Sequence, residues 1–362
     1  MSNSDIRVVP GPANYFSHPG SLERLSDFFS ADQLSRAVWV YGERALAGAE
    51  PFLPAAFHLP EAKKIRFTGH CSERDVAGLV QASGDDRAVV IGVGGGALLD
   101  SAKVLARRLG VPLVAIPTIA ATCAAWTPLS VWYSDAGQAL NFEIFDDANF
   151  LVLVEPRIIL NAPAEYLLAG IGDTLAKWYE AVVLAPQPKA LPLTVRLGIN
   201  GAQAIRDVLL ASSETALADQ RRGDLTQAFR DVVEAIIAGG GMVGGLGERY
   251  TRVAAAHAVH NGLTVLPQTD KFLHGTKVAY GILVQSALLG QDDVLAQLVQ
   301  AYQRFNLPTT LAALEVDINN RAELDRVIAH TLRPGESIHY LPVTLTPEVL
   351  RAAFEKVEYF SR

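Results

Sequence analysis

Cysteine is scarce in this sequence, with two residues in a chain of 362. Cys71 and Cys123 lie in no CxxC or Cys/His finger spacing, so the sequence excludes a disulfide framework and a zinc finger. So few cysteines are typical of a reducing compartment, and we expect a cytoplasmic protein. The first residues also lack a basic segment followed by an apolar one, so we expect no secretory signal.

Charged residues make up only 19% of the chain, and the formal net charge is −7. An acidic balance without a basic stripe excludes a general nucleic-acid binder. No run of about 18 consecutive apolar residues occurs, so we expect neither a membrane span nor a membrane partner. The apolar half of the composition must therefore fill a core and a subunit interface, which predicts a homo-oligomer.

The first part of the chain alternates short apolar runs with helical patterns, which predicts a parallel α/β sheet. Its Val- and Ile-rich runs indicate strands buried on both faces, at 37–41, 88–92, 112–116 and 150–153. Helices are predicted after Ser72, as an N-cap, and over 97–109. Residues 129–144 have the pattern of a hairpin with its turn at 134–137.

The second part of the chain is rich in Ala and Leu and shows no alternating strand pattern. Helices are predicted over 164–183, 194–213, 225–239, 251–265, 277–289 and 292–305. We therefore predict an α/β domain over residues 1–162 and a helical domain over residues 163–362.

A glycine cluster follows the second predicted strand and opens a helix, in residues 91–103. Glycines allow backbone amides to approach a phosphate closely, and a helix N-terminus adds partial positive charge. The spacing is neither that of a P-loop nor that of GxGxxG with its usual partners. The pattern therefore indicates a phosphate or dinucleotide site, with a tight structural turn as the alternative.

One carboxylate and three histidines are the candidate metal ligands and bases. Asp173 follows Gly170-Ile-Gly, which predicts a position near a helix start, where a cap is the ordinary role. His257 and His260 share one face of an apolar helix, and His274 follows. Such histidines are usually hydrogen-bonded core residues, but an Asp-His-His set with one open position suits a catalytic divalent cation such as zinc.

Several motifs occur together and in order across nearly the whole chain: Gly94-Gly-Gly with Asp100-Ser-Ala-Lys103, Pro117-Thr-Ile-Ala-Ala-Thr122, Leu129-Ser-Val-Trp-Tyr133, Gly170-Ile-Gly-Asp173, Ala256-His-Ala-Val-His-Asn-Gly-Leu-Thr264 and His274-Gly-Thr-Lys-Val-Ala-Tyr-Gly281. Together they resemble the glycerol-dehydrogenase-like branch of the iron-containing alcohol dehydrogenase superfamily, and within it the hydroxycarboxylate dehydrogenases. The resemblance implies a Rossmann-like α/β N-terminal domain and an all-α C-terminal domain, in a dehydroquinate synthase-like architecture.

The resemblance also implies roles for individual residues. One divalent ion (zinc, with iron or nickel as alternatives) would be held by Asp173, His257 and His274. To Asp173 we add Lys177, His260 and Cys123 as candidate catalytic and substrate-site residues, although the resemblance itself does not imply these three. The cofactor would contact Glu43, Gly94, Gly95, Gly96, Ala97, Leu98, Asp100, Thr118, Ile119, Ala120, Ala121, Thr127, Leu129 and Tyr133.

Three positions depart from the pattern of the resembled enzymes. Cys123 stands where glycerol dehydrogenases have an aspartate that helps to bind the polyol, and Ala97 replaces their glycine-loop lysine. Lys177 stands where iron-type members place a further histidine ligand, so we expect three protein ligands and a water. Loss of a negative charge and gain of a positive one predict a site for an anion, unless Lys177 is merely solvated or paired with Asp173 or Glu180.

The predicted reaction is reduction of a short 2-oxo acid, such as 2-oxobutyrate or 2-oxoglutarate, to the 2-hydroxy acid by nicotinamide hydride. The metal would act as a Lewis acid, and His260 would relay a proton. The resemblance implies NADP(H), whereas the residues leave NAD(H) open, since Glu43 suits a ribose and Arg44 a 2′-phosphate. The alternatives are an NAD-dependent glycerol or polyol dehydrogenase, a non-redox lyase of the dehydroquinate synthase type, and a dinucleotide-binding protein without catalysis.

Overall fold

The computed structural model describes residues 6–135, 137–184 and 191–362; position 136, in the predicted hairpin turn, lies outside them. The strands are β1 (Asn14–Ser17), β2 (Ala37–Tyr41), β3 (Lys63–Arg66), β4 (Val89–Gly94), β5 (Leu113–Pro117), β6 (Leu129–Tyr133), β7 (Ala139–Ile144) and β8 (Leu151–Val154). The α-helices are α1 (Leu25–Phe28), α2 (Ala31–Ser35), α3 (Glu43–Ala49), α4 (Glu73–Ser83), α5 (Gly96–Leu109), α6 (Pro156–Leu160), α7 (Ala164–Leu184), α8 (Leu193–Arg222), α9 (Gln227–Glu234), α10 (Gly240–Gly247), α11 (Ala255–Leu263), α12 (His274–Leu288), α13 (Asp292–Phe305), α14 (Arg321–Thr331) and α15 (Pro347–Phe360).

Six strands form a parallel sheet in the order β1-β8-β5-β4-β2-β3. Strands β4, β5 and β8 are buried along their whole length, because their Val, Ile and Leu side chains are covered on both faces. The chain leaves β2 toward β3 on one side and leaves β4 toward β5 on the other. Ligands of such sheets bind at this kind of switch point, outside the carboxyl ends of the strands.

The four strands predicted in the sheet are confirmed, each within two residues of its predicted bounds. The sequence patterns did not predict β1 and β3, which form the two edges of the sheet. An edge strand needs no continuous apolar run, and β3 is the largely exposed segment Lys-Lys-Ile-Arg. The predicted hairpin is confirmed as the antiparallel pair β6–β7, with Leu129 opposite Ile144.

The chain forms two compact units. Among the described residues, the sheet unit contains 9–135, 137–163 and 219–245, and the helical unit contains 6–8, 164–184, 191–218 and 246–362. This division differs from the expected boundary at residue 162 in residues 6–8, which belong to the helical unit, and in the segment 219–245. That segment is tied to the sheet unit by hydrogen bonds, since Gln220 donates to the carbonyls of Ile159 and Ala162 at 3.1 and 3.0 Å.

The helical unit is built around α12, which packs against α7, α11, α13 and α15. Its middle residues are buried on all sides, as expected of a helix that is apolar around its whole circumference. The predicted helices 164–183, 277–289 and 292–305 are confirmed as α7, α12 and α13. The predicted helix over 225–239 instead ends at Glu234 and continues as the π-helical turn Ala235–Gly239.

The predicted fold class is confirmed: a parallel α/β sheet region is followed by a largely helical C-terminal region. None of the described helices is both long and apolar enough to cross a membrane.

Candidate functional site

Three side chains of the helical unit converge on one point. Asp173 lies in the middle of α7, His257 in the first turn of α11, and His274 is the first residue of α12. One ligand atom from each can be chosen so that all three lie within 4.8 Å of one another. The Nε2 atoms of His257 and His274 lie 3.5 and 3.2 Å from Asp173 Oδ1. The expectation that Asp173 lies near a helix start is therefore wrong.

The convergence fits a divalent cation. Asp173 Oδ1 is buried and has no hydrogen-bond partner among the described residues, although the two imidazole Nε2 atoms lie 3.5 and 3.2 Å away. An unpaired buried carboxylate oxygen is costly unless a cation satisfies it. One carboxylate and two imidazoles, with His274 44% exposed, also match the three-ligand sets that leave an open position for substrate.

Glycines set how closely the three helices approach. A Cβ added to Gly275 would lie 1.9 Å from the carbonyl oxygen of Ala169, so α12 contacts the backbone of α7 directly. A Cβ on Gly281 would likewise lie 2.2 Å from the carbonyl oxygen of Ala256 in α11. These contacts bring His274 beside Asp173.

Behind His257 lies a buried carboxylate that the sequence patterns did not identify. Glu180 is fully buried, and its Oε2 accepts a hydrogen bond from His257 Nδ1 at 2.7 Å. Its Oε1 accepts from the amides of Ala254 and His257 at 2.6 and 3.1 Å. The available signal was its spacing, since Glu180 lies seven residues after Asp173, two turns along the same helix face.

His260 lies beside His274 rather than pointing at Asp173. His260 Nε2 is 3.0 Å from His274 Nδ1, and His260 Nδ1 is 3.0 Å from Asn261 Oδ1. The amide nitrogen of Asn261 donates to Glu336 at 2.9 Å, which fixes Oδ1 as the atom that faces His260. His260 Nδ1 therefore carries the proton, and His260 Nε2 accepts one from His274.

The charges of the cluster shift the pKa values of its members. Burial opposes ionisation of Asp173, but the neighbouring imidazoles hold its pKa well below the usual range. Burial also opposes the charge on His257, yet the carboxylates of Glu180 and Asp173 outweigh it and raise the pKa of His257 to about 9. Burial and the nearby positive charges hold the pKa of His260 well below its usual value. His260 is therefore neutral at physiological pH.

Lys177 lies one turn after Asp173 on α7 and is half-buried. Within the described part of the chain it forms no ion pair, so the expected alternative of a salt bridge to Asp173 or Glu180 does not occur. Both carboxylates are instead directed at histidines. Among the described residues, Lys177 is thus a cation without a counter-ion, and it lies on α7, the helix that also carries Asp173.

The sheet unit carries the glycine loop. Strand β4 ends at Gly94, and the N-cap of α5 is Gly95, so no cap side chain accepts from the first-turn amides; no other described side chain does so either. A Cβ on Gly95 would lie 2.8 Å from Ile119 Cδ1, so the loop after β5 packs directly against it. The first-turn amides of residues 96–98 therefore remain available to an anion, as helix N-termini permit.

The loop after β5 lies beside the glycine loop. The amide of Thr118 donates to the carbonyl of Gly94 at 3.1 Å, and residues 118–121 follow directly. Glu43 opens α3 after β2, on the other side of β4, and its carboxylate lies 3.3 Å from Arg66 Nη1. Three of the predicted cofactor segments thus follow three neighbouring strands at the carboxyl edge of the sheet, around the switch point between β2 and β4.

Asp100 holds the hairpin against α5. Its Oδ1 pairs with buried Lys103 at 2.8 Å, and its Oδ2 accepts from the amide of Val131 at 3.2 Å. Lys103 also donates to the carbonyl oxygens of Thr127 and Leu129. The carboxylate of Asp100 is therefore used within the protein, where it positions the segment that contains the predicted cofactor contacts Thr127, Leu129 and Tyr133.

The remaining candidates lie along this same segment of the sheet unit. The carbonyl of Cys123 accepts hydrogen bonds from the amides of Trp126 and Thr127, at 2.9 and 3.2 Å, in the turn that leads to β6. Tyr133 ends β6 and stacks on His70, with ring centroids 5.8 Å apart. Burial and the negative charge of Asp100 raise the pKa of the Tyr133 hydroxyl, so it is a hydrogen-bond donor at neutral pH.

Comparison with known proteins gives consistent relationships. The family profile described as iron-containing alcohol dehydrogenase matches residues 12–156. Hydroxycarboxylate dehydrogenase A of Escherichia coli K12 is 80% identical, with 99% of each chain aligned. Glycerol dehydrogenase of Pseudomonas putida is 34% identical, with 96% of each chain aligned. The crystal structure of glycerol dehydrogenase from Schizosaccharomyces pombe superposes with a TM-score of 0.84 at 28% identity, covering 99% of this chain and 92% of that one.

Proposed function

The chain belongs to the iron-containing alcohol dehydrogenase family, and on that premise we propose that it reduces short 2-oxo acids to 2-hydroxy acids with NADPH and a divalent metal ion. Family membership makes it an oxidoreductase that acts on an alcohol or hydroxy group, and it counts against the lyase and the non-catalytic alternatives. The substrate class, the preference for NADPH and the identity of the metal are the proposed parts.

The observation that carries the proposal is the convergence of Asp173, His257 and His274. Their one carboxylate and two imidazoles would hold the ion, and zinc is proposed because it accepts mixed oxygen and nitrogen ligands in open sites. Bound there, the ion would supply Lewis-acid polarisation of the substrate carbonyl. The exposed side of His274 leaves this point accessible from solvent.

The substrate class is supported by charge. Lys177 lies one turn from Asp173 and has no ion-pair partner among the described residues, and we propose that it attracts the carboxylate of a 2-oxo acid. Cys123 supplies no charge where the resembled glycerol dehydrogenases have an aspartate, which weakens the case for a polyol. The relative at 80% identity is named for hydroxycarboxylates, and 2-oxobutyrate or 2-oxoglutarate is the substrate type that we infer.

The cofactor is bound in this proposal mainly by backbone groups. The first-turn amides of α5 would contact the pyrophosphate, and the loop 118–121 would cover it. Glu43 already lies beside Arg66, and Arg44 follows it, so this corner of the sheet unit carries two arginines for one carboxylate. That balance favours a 2′-phosphate over a bare ribose, and hence NADPH over NADH.

A steady-state panel tests the proposal directly. We expect turnover of 2-oxobutyrate and 2-oxoglutarate with NADPH, loss of turnover after chelation, and recovery on adding a divalent metal. The second candidate, a glycerol or polyol dehydrogenase, is favoured by the 34% identity to a glycerol dehydrogenase. Faster oxidation of glycerol with NAD than reduction of either 2-oxo acid with NADPH would replace the proposal by this alternative.

A further inference from the structure

We propose that Glu180 and His260 are positioning residues that present the Nε2 atoms of His257 and His274 to the metal. The inference rests on the proposed metal site and adds the partners that orient its two imidazoles. A histidine ligates through a nitrogen without a proton, so the hydrogen bond made by its other nitrogen decides which atom is available.

The first half of this arrangement is the contact between Glu180 and His257. An ionised carboxylate only accepts hydrogen bonds, so the 2.7 Å contact requires a proton on His257 Nδ1. That leaves Nε2, the nitrogen nearer to Asp173, as the ligating atom. The other oxygen of Glu180 accepts from two backbone amides at the start of α11, so the carboxylate cannot rotate away without losing both.

The second half is a chain of hydrogen bonds behind His274. Arg333 donates to Glu336 at 2.7 Å, and Glu336 also accepts from the side-chain NH₂ group of Asn261. The side-chain oxygen of Asn261 then faces His260. His260 Nε2 is thereby left as an acceptor for His274 Nδ1. His274 then also presents Nε2 toward Asp173, at 3.2 Å. This geometry gives His260 the role of orienting His274, instead of the role of proton relay that we expected from the sequence.

Glu180→Gln is a sharp test, because it changes the direction of one hydrogen bond and keeps the size of the side chain. Two backbone amides hold the amide oxygen of the new glutamine where Oε1 lies now, which turns its NH₂ group toward His257 Nδ1. His257 is then driven to carry its proton on Nε2, the wrong nitrogen for the metal. We expect metal affinity to fall about 10- to 100-fold, the usual effect of losing such a partner.

Three further variants complete the design. His260→Phe removes the acceptor for His274 and should weaken metal binding about tenfold or more, whereas His260→Gln offers an amide oxygen and should restore part of the metal affinity.

Gln285→Met is the matched control. Gln285 accepts from the backbone amides of Ala255 and Ala256 at the start of the same helix, and none of its described hydrogen bonds involves either imidazole. It should lower the melting temperature while leaving metal affinity within about twofold.

The readout is the affinity of the full-length chain for zinc, measured by competition with a chromophoric chelator, together with ¹⁵N spectra of its labelled histidines. Wild-type protein loaded with zinc should show a proton on Nδ1 of both His257 and His274.

Zinc affinity of Glu180→Gln within twofold of wild type would overturn the inference, and so would an equal loss of zinc affinity in Gln285→Met. Wild-type protein that binds no zinc, iron or nickel would instead overturn the proposed metal site itself. If Glu180→Gln does not fold, Glu180→Asp should show the same loss in smaller degree.

Discussion

The two compact units present their candidate site groups in different ways. In the sheet unit the groups are mostly backbone amides, in loops that follow neighbouring parallel strands. In the helical unit they are charged and polar side chains from three helices, and a further side chain holds each of the two histidines. A backbone site depends on the path of the loop, so most side-chain changes leave it intact. A side-chain site depends on residue identity and on the distances between helices.

The largest effect is expected where the helical unit is most tightly packed. Gly275→Ala places a methyl group against the carbonyl oxygen of Ala169, so α7 and α12 must separate. We expect a loss of about 3 kcal/mol or more in the free energy of unfolding, together with loss of metal binding. Chemical denaturation and chelator competition measure both.

The matched control is Gly78→Ala in α4 of the sheet unit, where an added Cβ meets no neighbour within 4 Å. It should be neutral or stabilise the protein by up to about 1 kcal/mol, because alanine restricts the unfolded chain. Equal stability of the two variants would contradict the close helix contact.

A pH series separates the side-chain site from the backbone site. A metal ion that binds His257 Nε2 must displace the proton on that nitrogen, and His257 retains this second proton up to its raised pKa of about 9. Proton competition is strong below that pKa and disappears above it, so apparent zinc affinity should rise about tenfold per pH unit toward pH 9. NADPH binding to backbone amides should lack this dependence over the same range. Zinc affinity that is already constant from pH 7 upward would show that the proton on His257 is not held as described.

A loop substitution tests the sheet unit. Gly95→Val places its side chain against Ile119 and distorts the loop, so we expect NADPH affinity to fall about tenfold or more. Ala97→Ser changes an exposed side chain in the same turn and should leave the affinity nearly unchanged. Fluorescence titration of NADPH measures both. Similar losses in the two variants would indicate that side chains, rather than the backbone, bind the cofactor.

The smallest effect is expected at Lys177. Lys177→Met removes the proposed partner of the substrate carboxylate and should raise the KM for 2-oxobutyrate several-fold, up to about tenfold, with little change in kcat. Lys271→Met, at an exposed ion pair with Glu315, is the control and should change neither. An unchanged KM in the first variant would mean that Lys177 is simply a surface lysine.

The buried strands of the sheet were predictable, whereas its edges were not. Strands β2, β4, β5 and β8 are short, mostly apolar segments that contain Val or Ile and are almost entirely buried, and this pattern can be recognised in the sequence. Lys63–Arg66 contains nothing that distinguishes it from a loop, because its pairing with β2 comes from tertiary structure. The assignment of residues 219–245 to the sheet unit was also not predictable, because it depends on contacts between residues far apart in sequence.

The three proposed metal ligands were found through the family resemblance, since the spacing of His257 and His260 by itself is common. The resemblance did not reveal that His260 faces His274, nor that Glu180 faces His257. Gly170-Ile-Gly misled the prediction for Asp173, because these glycines read as a helix boundary. In the structure they lie within α7, where Gly172 accommodates the backbone of α12.

The central claim is that Asp173, His257 and His274 bind an ion on which turnover depends. Its most direct test is the activity of chelator-stripped protein with 2-oxobutyrate and NADPH during titration with zinc, iron(II) or nickel(II), beside His257→Ala. We predict no activity without metal, a rise to a breakpoint at one ion per chain, and a His257→Ala variant that neither binds the ion nor recovers. Full activity of the stripped protein, or of metal-free His257→Ala, would contradict the account.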